Sequence, residues 1–295
     1  METVKLTAED IARVKGLGCL QDKRYADIFN VRVITRNGHL TSHELRAVAD
    51  AADRFGSGSA AMTSRQTVEI QGVKYENIGP MMDFLKTYGL ETGGTGTKVR
   101  PIVACKGTTC RFGLCDTYGL SRKIHERFYV GWHGVNLPHK VKIAVGGCPN
   151  NCVKPDLNDI GIIGQRYPTV DTDKCRGCKK CRVEAACPIG HAKVVDGKML
   201  IDPNVCNHCG RCKDQCLFDA ISYQDGLKIC IGGRWGKKTA SSTPLNHVFT
   251  SEEEVLDMVE KIICLFRDEG VKGERFADTI SRLGFENVEA RLLNK

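Results

Sequence analysis

The chain has 295 residues, enough for one large or two moderate domains with a real core. Its formal charge is +8, but no basic run is interleaved with aromatics, which argues against nucleic acid. No apolar stretch nears the roughly 18 residues a membrane span needs. With no N-terminal apolar core and cleavage site, the expected setting is cytoplasmic, where 16 cysteines signal metal rather than bridges.

In chain order, a helix is expected near 7–15, stopped by Gly16 and Gly18, with Cys19 as a lone small residue. Residues 28–34 read as a strand. Thr41-Ser-His-Glu44 is a capping box opening an amphipathic helix that ends at Gly56. A second strand over 67–70 and a second helix over 76–88 complete a compact α+β unit. Arg32 lies in the first strand, Arg65 just before the second, and Arg100 just before a strand expected over 101–105. In LPHKVKIAV, Lys140 and Lys142 are two residues apart, so they should share one face of a strand. Five cations on strands or at strand starts suggest a pocket for an oxyanion.

Cysteines follow in sets. Cys105, Cys110, Cys148 and Cys152 can form one four-thiolate group, with a helix expected over 116–128. Spacing leaves open whether Cys105 or Cys115 accompanies Cys110. From about Arg166 the texture changes. Cys175, Cys178, Cys181 and Cys187-Pro188, then Cys206, Cys209, Cys212 and Cys216, form a doubled run around an Asp196-Gly197 hairpin. In two-cluster ferredoxins the fourth cysteine of each run serves the other centre. That rule groups Cys175, Cys178, Cys181 and Cys216, and separately Cys206, Cys209, Cys212 and Cys187. Zinc is disfavoured by eight cysteines in interlocked runs. Three [4Fe-4S] centres at about −2 each would bring the protein near +2. Strand texture resumes at 227–231. The turn Gly232 to Lys238, with Gly233 and Arg234, reads as an anion cradle. Helices over 251–268 and 273–283 close the chain, with Cys230 and Cys264 on apolar faces.

TSRQTVEIQG, LPHKVKIAV, the cysteines near Cys110 and GGCPNNC together resemble the siroheme-dependent nitrite and sulfite reductases, and with the cysteine-rich block most of all the anaerobic sulfite reductases. The resemblance implies an α+β, single-copy nitrite/sulfite reductase fold in three parts. Residues 1–97 would form a ferredoxin-like half-domain, 98–166 with 227–295 a siroheme/[4Fe-4S] domain, and 167–226 an inserted 2[4Fe-4S] ferredoxin domain. It implies siroheme and three [4Fe-4S] clusters, with Cys152 bridging one cluster to the siroheme iron. It further implies Arg32, Arg100, Lys140 and Lys142 around sulfite, and Arg65, Gln66, Gly233 and Arg234 beside the siroheme. In nitrite-preferring relatives asparagine replaces the second lysine, so Lys142 points to sulfite.

Two departures stand out. Cys105 and Cys110 enclose four residues where the family has five, and one copy of the fold is present where fused relatives have two. A homo-oligomer or hetero-complex should therefore complete the site, fed by an electron-donor protein, either a ferredoxin or flavin/iron-sulfur subunits. The reaction implied is six-electron reduction of sulfite to sulfide. The alternatives are nitrite reduction to ammonia and an electron-transfer subunit without active siroheme.

Overall fold

The computed structural model describes residues 6–294. The chain divides into two units. One comprises residues up to Ala104, Tyr118–Ala144 and Glu260 onward; the other comprises Cys105–Thr117 and Val145–Val259.

In the first unit, α1 (Ala8–Gly16) starts from a Thr7/Asp10 capping box. Strands β1 (Cys19–Gln21) and β2 (Ile28–Val33) lead to α2 (Ser42–Phe55), opened by the expected Thr41/Glu44 box. Strands β3 (Ala60–Met62) and β4 (Val68–Lys74) and helix α3 (Ile78–Thr87) follow. The strands form an antiparallel sheet in the order β1-β2-β4-β3. Alternation along β2 buries Phe29, Val31 and Val33 and sends Arg32 to the other face. Small residues on α2, Ala47, Ala51 and Ala52, let the helix pack into the core with Met81 and Leu85. Cys19 is buried there.

The strand expected over 101–105 shrinks to β5 (Val103–Ala104), because Pro101 has no amide to donate. The helix expected over 116–128 is α4 (Thr117–Ile124), continued by a π-helical segment, His125–Val130. The strand after the lysine pair, β6, spans Ile143–Gly146 and starts one residue past Lys142. The lysines therefore stand on the extended lead-in rather than on the strand. Val141 bridges Val99 in parallel there, and the Arg100 amide donates to the Val141 carbonyl at 2.8 Å.

The second unit is built on two long antiparallel strands, β7 (Ile160–Val170) and β10 (Ile221–Ile231), paired over their full length. The strand expected over 227–231 thus begins six residues earlier. Between them lie α5 (Arg182–Ala186) and the hairpin β8 (Ala192–Val195) and β9 (Lys198–Ile201), turning on Asp196 and Gly197, both at positive φ. Strand β6 lies beside β7, and β11 (Thr243–Pro244) beside β10. Helix α6 spans Glu252–Glu269. The helix expected over 273–283 is α7 (Phe276–Leu283), and a further helix, α8 (Phe285–Leu293), follows it after Gly284 at φ 82°. Cys230 is buried, and Cys264 only half-buried. Among the described residues, no helix is long and apolar enough to cross a membrane.

Candidate active site: a cation face and three thiolate groups

In the first unit the cations are assembled by backbone pairing. Because Val99 opposes Val141 in parallel and both are buried, Lys98, Arg100, Lys140 and Lys142 fall on the opposite side of the two segments. Arg100 donates to the Gly94 carbonyl, which also receives Arg32 Nη1 at 3.4 Å. Arg32 Nη2 meets Glu69 at 3.1 Å. The Nε atoms of Arg32 and Arg100 are buried and have no hydrogen-bond partner among the described residues. Burial, with Arg32 and Arg275 adding repulsion, lowers the Arg100 pKa to about 10. Two guanidinium groups sharing one carbonyl and each keeping a buried donor unspent is an arrangement that an oxyanion completes.

Three members of this face were invisible in the sequence. Lys98 joins it through register alone. Arg275, which caps α7, arrives from far along the chain. The phenol of Tyr129 faces Gly93, and burial together with Glu91 raises its pKa to about 12.

Other expected residues are engaged with the fold. Arg65 donates to the carbonyls of Pro101 and Ile143. The Gln66 side-chain amide exchanges two hydrogen bonds with the Ala104 backbone, at 2.8 and 2.9 Å. Both therefore position the segment leading to Cys105.

In the second unit, Cys105 Sγ accepts the Gly147 amide at 3.1 Å. Cys115 is pushed up to about 12 by burial and then by Cys105, Asp116, Glu252 and Cys148. Its sulfur packs near Gly164 and points at the Gly146 carbonyl. Cys152 is exposed. Gly233 is a glycine because an added Cβ would stand 2.3 Å from the Asn158 carbonyl and 2.4 Å from that of Asp156. Arg234 closes a hairpin with Ala240.

Part of the doubled run can be located, and Cys187 and Cys212 also border the small core on which Cys175, Cys181 and Cys216 pack. A pocket is lined by Cys187, Cys206, Cys209 and Cys212, along with Pro188 and Ile201. Cys212 is pushed up to about 11 by burial, with Cys206, Cys209 and Cys187 adding to it. Cys175 and Cys216 pack on one small core of Val183, Ala192, Met199 and Ile221, together with Cys181. Backbone amides donate to the sulfurs of Cys175 (3.2 Å), Cys187 (3.4 Å), Cys206 (3.4 Å) and Cys216 (3.4 Å). Such amides stabilise thiolates. Among the described residues no three His, Cys, Asp or Glu side chains converge on a single-ion position. An iron-sulfur cube instead needs four thiolates around a volume.

Comparison with known proteins assigns the family. A model described as the nitrite and sulphite reductase 4Fe-4S domain matches residues 95–295, and one for the nitrite/sulfite reductase ferredoxin-like half domain matches 21–88. The chain belongs to the nitrite and sulfite reductase family. It is an oxidoreductase of the sulfite reductase type. An uncharacterized protein of Methanocaldococcus jannaschii is 31% identical over 93% of this chain and 96% of its own length. The coenzyme F420-dependent sulfite reductase of the same organism is 30% identical over 89% of this chain, which spans only 42% of that protein. An anaerobic sulfite reductase subunit of Salmonella typhimurium is 31% identical over 77% of this chain and 71% of its own length. Among solved structures, dissimilatory sulfite reductase I superposes with a TM-score of 0.72 at 22% identity, covering 92% of this chain and 70% of that one. That likeness supports the fold.

Proposed function

We propose that this chain catalyses reduction of sulfite to sulfide, bisulfite taking six electrons and six protons to give hydrosulfide and three waters. The observation that carries the reading is the cation face, with buried, unspent Nε donors on Arg32 and Arg100 beside the lysine-bearing segment. An electron carrier would have no use for such a face. Siroheme with its [4Fe-4S] cluster, when bound, would supply the redox-active metal that relays donor electrons to sulfite.

The residues have distinct tasks. Cys105, Cys110, Cys148 and Cys152 would hold that cluster, and Cys152, exposed in the fold, would be the one to link it to the siroheme. Cys105 is chosen over Cys115 because its sulfur receives the Gly147 amide, whereas Cys115 packs at Gly164. Arg32, Arg100, Lys140 and Lys142 hold the anion's oxygens and stabilise charge as S–O bonds break. Lys140 and Lys142, or waters they hold, deliver protons. Arg65, Gln66, Gly233 and Arg234 shape the siroheme surroundings. Residues 167–226 act as an inserted two-cluster block, giving three clusters in all. Its ends meet where Arg166 pairs with Asp225 across β7 and β10.

A second subunit would complete the site, in keeping with relatives named as subunits. A monomer turning over sulfite at full rate would count against that point. Nitrite reduction is the second reading, favoured by a Bacillus subtilis nitrite reductase 33% identical over 43% of this chain. The test is a visible spectrum of reconstituted protein with and without sulfite, plus steady-state rates on both anions. Chlorin bands that shift with sulfite and a higher kcat/KM for sulfite support the proposal; iron-sulfur absorption alone overturns it.

A further inference from the structure

The loops that carry the cysteines meet β7 one after another along its length. Gly164 of β7 lies against Gly147 and Cys115, where an added Cβ would stand 2.6 Å from the Gly147 carbonyl and 3.0 Å from Cys115 Sγ. Two residues on, the Arg166 amide donates to the His208 carbonyl at 2.8 Å, and Arg166 bridges Cys209 of the second run. Just past the end of β7, Asp171 accepts the Cys175 amide at 3.1 Å and donates to the Ala220 carbonyl, while the Ala220 amide binds Cys216 Sγ. At about 3.3 Å per strand residue, the second-run group begins about 7 Å beyond Gly164 and the first-run group about 23 Å beyond it. The first-run thiolates hold the far end.

Charge collects at that same end. Lys174, Arg176, Lys179, Lys180 and Arg182 fall within nine residues, all exposed. Lys174 pairs with Asp171, but the other four make no ion pair with any described residue. Immediately after Cys216, Leu217 is 72% and Phe218 46% exposed. The second run is different, since Arg211 stacks its guanidinium over the Phe112 ring at 4.2 Å.

We propose that Arg176, Lys179, Lys180 and Arg182, with Leu217 and Phe218, form the docking surface for an acidic, one-electron iron-sulfur carrier protein. The inference rests on the reading that the two runs hold clusters. Apolar contacts with a charged rim suit a transient partner, and opposite charge speeds encounter. Each visit oxidises one reduced carrier by one electron, so six visits supply the electrons for one bisulfite.

The test uses the reconstituted full chain and a purified acidic ferredoxin as the probe. Binding is measured by calorimetry at low and high salt, for wild type and for the combined variant Arg176→Gln, Lys179→Gln, Lys180→Gln, Arg182→Gln. The expected result is affinity weakened about tenfold or more, with most of its salt dependence gone. Ferredoxin-driven turnover should then show a raised KM, while turnover driven by reduced methyl viologen should stay unchanged. A charge-keeping variant, Arg176→Lys with Arg182→Lys, should bind as wild type does. Equal affinity and equal salt dependence in wild type and the glutamine variant overturn the proposal, as does wild-type binding that salt does not weaken. A wild-type protein that binds ferredoxin but reduces neither anion with methyl viologen overturns the catalytic reading and leaves the docking surface standing.

Discussion

Replacing Arg100 by methionine should stabilise the protein while removing its response to sulfite. Folding lowers the Arg100 pKa from the usual guanidinium range to about 10, burial being the main cause and the neighbouring Arg32 the next. At about 1.4 kcal/mol per tenfold change, the charged side chain destabilises the folded state at neutral pH by at most about 3 kcal/mol. Solvent reaching the partly exposed guanidinium reduces that to about 1–2 kcal/mol. Methionine keeps most of the packing, and the Gly94 carbonyl retains Arg32 as a donor. Urea unfolding of protein free of added anion should therefore show Arg100→Met more stable than wild type by about 1 kcal/mol. Adding sulfite should raise the wild-type midpoint and leave the variant unmoved. The unfolded chain binds the Arg100 proton more tightly than the folded one, so wild-type stability from this group should rise as pH climbs above about 10. A variant destabilised by about 1 kcal/mol or more, with its sulfite response intact, would refute the idea that Arg100 is held charged for an anion.

Lys142→Asn should lower kcat/KM for sulfite more than for nitrite, and equal losses would remove its role in anion choice. Iron analysis of single variants should show Cys105→Ser losing one cluster and Cys115→Ser keeping all of them; the reverse pattern would exchange the two residues. Stripping iron with a chelator should expose 171–221 to rapid hydrogen exchange, because among the described residues few apolar side chains there are buried, Val183, Ala192, Met199, Ala220 and Ile221. The half built on α2 and β2 should keep its protection, and uniform loss across the chain would argue against this. Gly164→Ala should drive a Cβ onto the Gly147 carbonyl, costing about 1–3 kcal/mol of stability and lowering iron content; a fully loaded, equally stable variant would show that the loop yields.

Several features were legible because they are local. The Thr41/Glu44 box, the Asp196-Gly197 turn and the grouping of Cys187 with Cys206, Cys209 and Cys212 follow from spacings within short stretches. Gln66 and Arg65 were recognised in a motif, but their hydrogen bonds to Ala104, Pro101 and Ile143 could not be read from it. Helix α8 was missed because its apolar spacing continues that of α7, and only Gly284 separates them.

By itself the sequence determined the cysteine runs, the caps and the stock of cations, since each depends on residues a few positions apart. The tertiary structure decided which cations share a face, because Lys98, Arg100, Lys140 and Lys142 come together only through the parallel pairing of Val99 with Val141. It also decided the order in which the cysteine-bearing loops meet β7. That order is set by which residues of β7 the loops touch, and hydrogen bonds between segments far apart in the chain leave no periodicity to read.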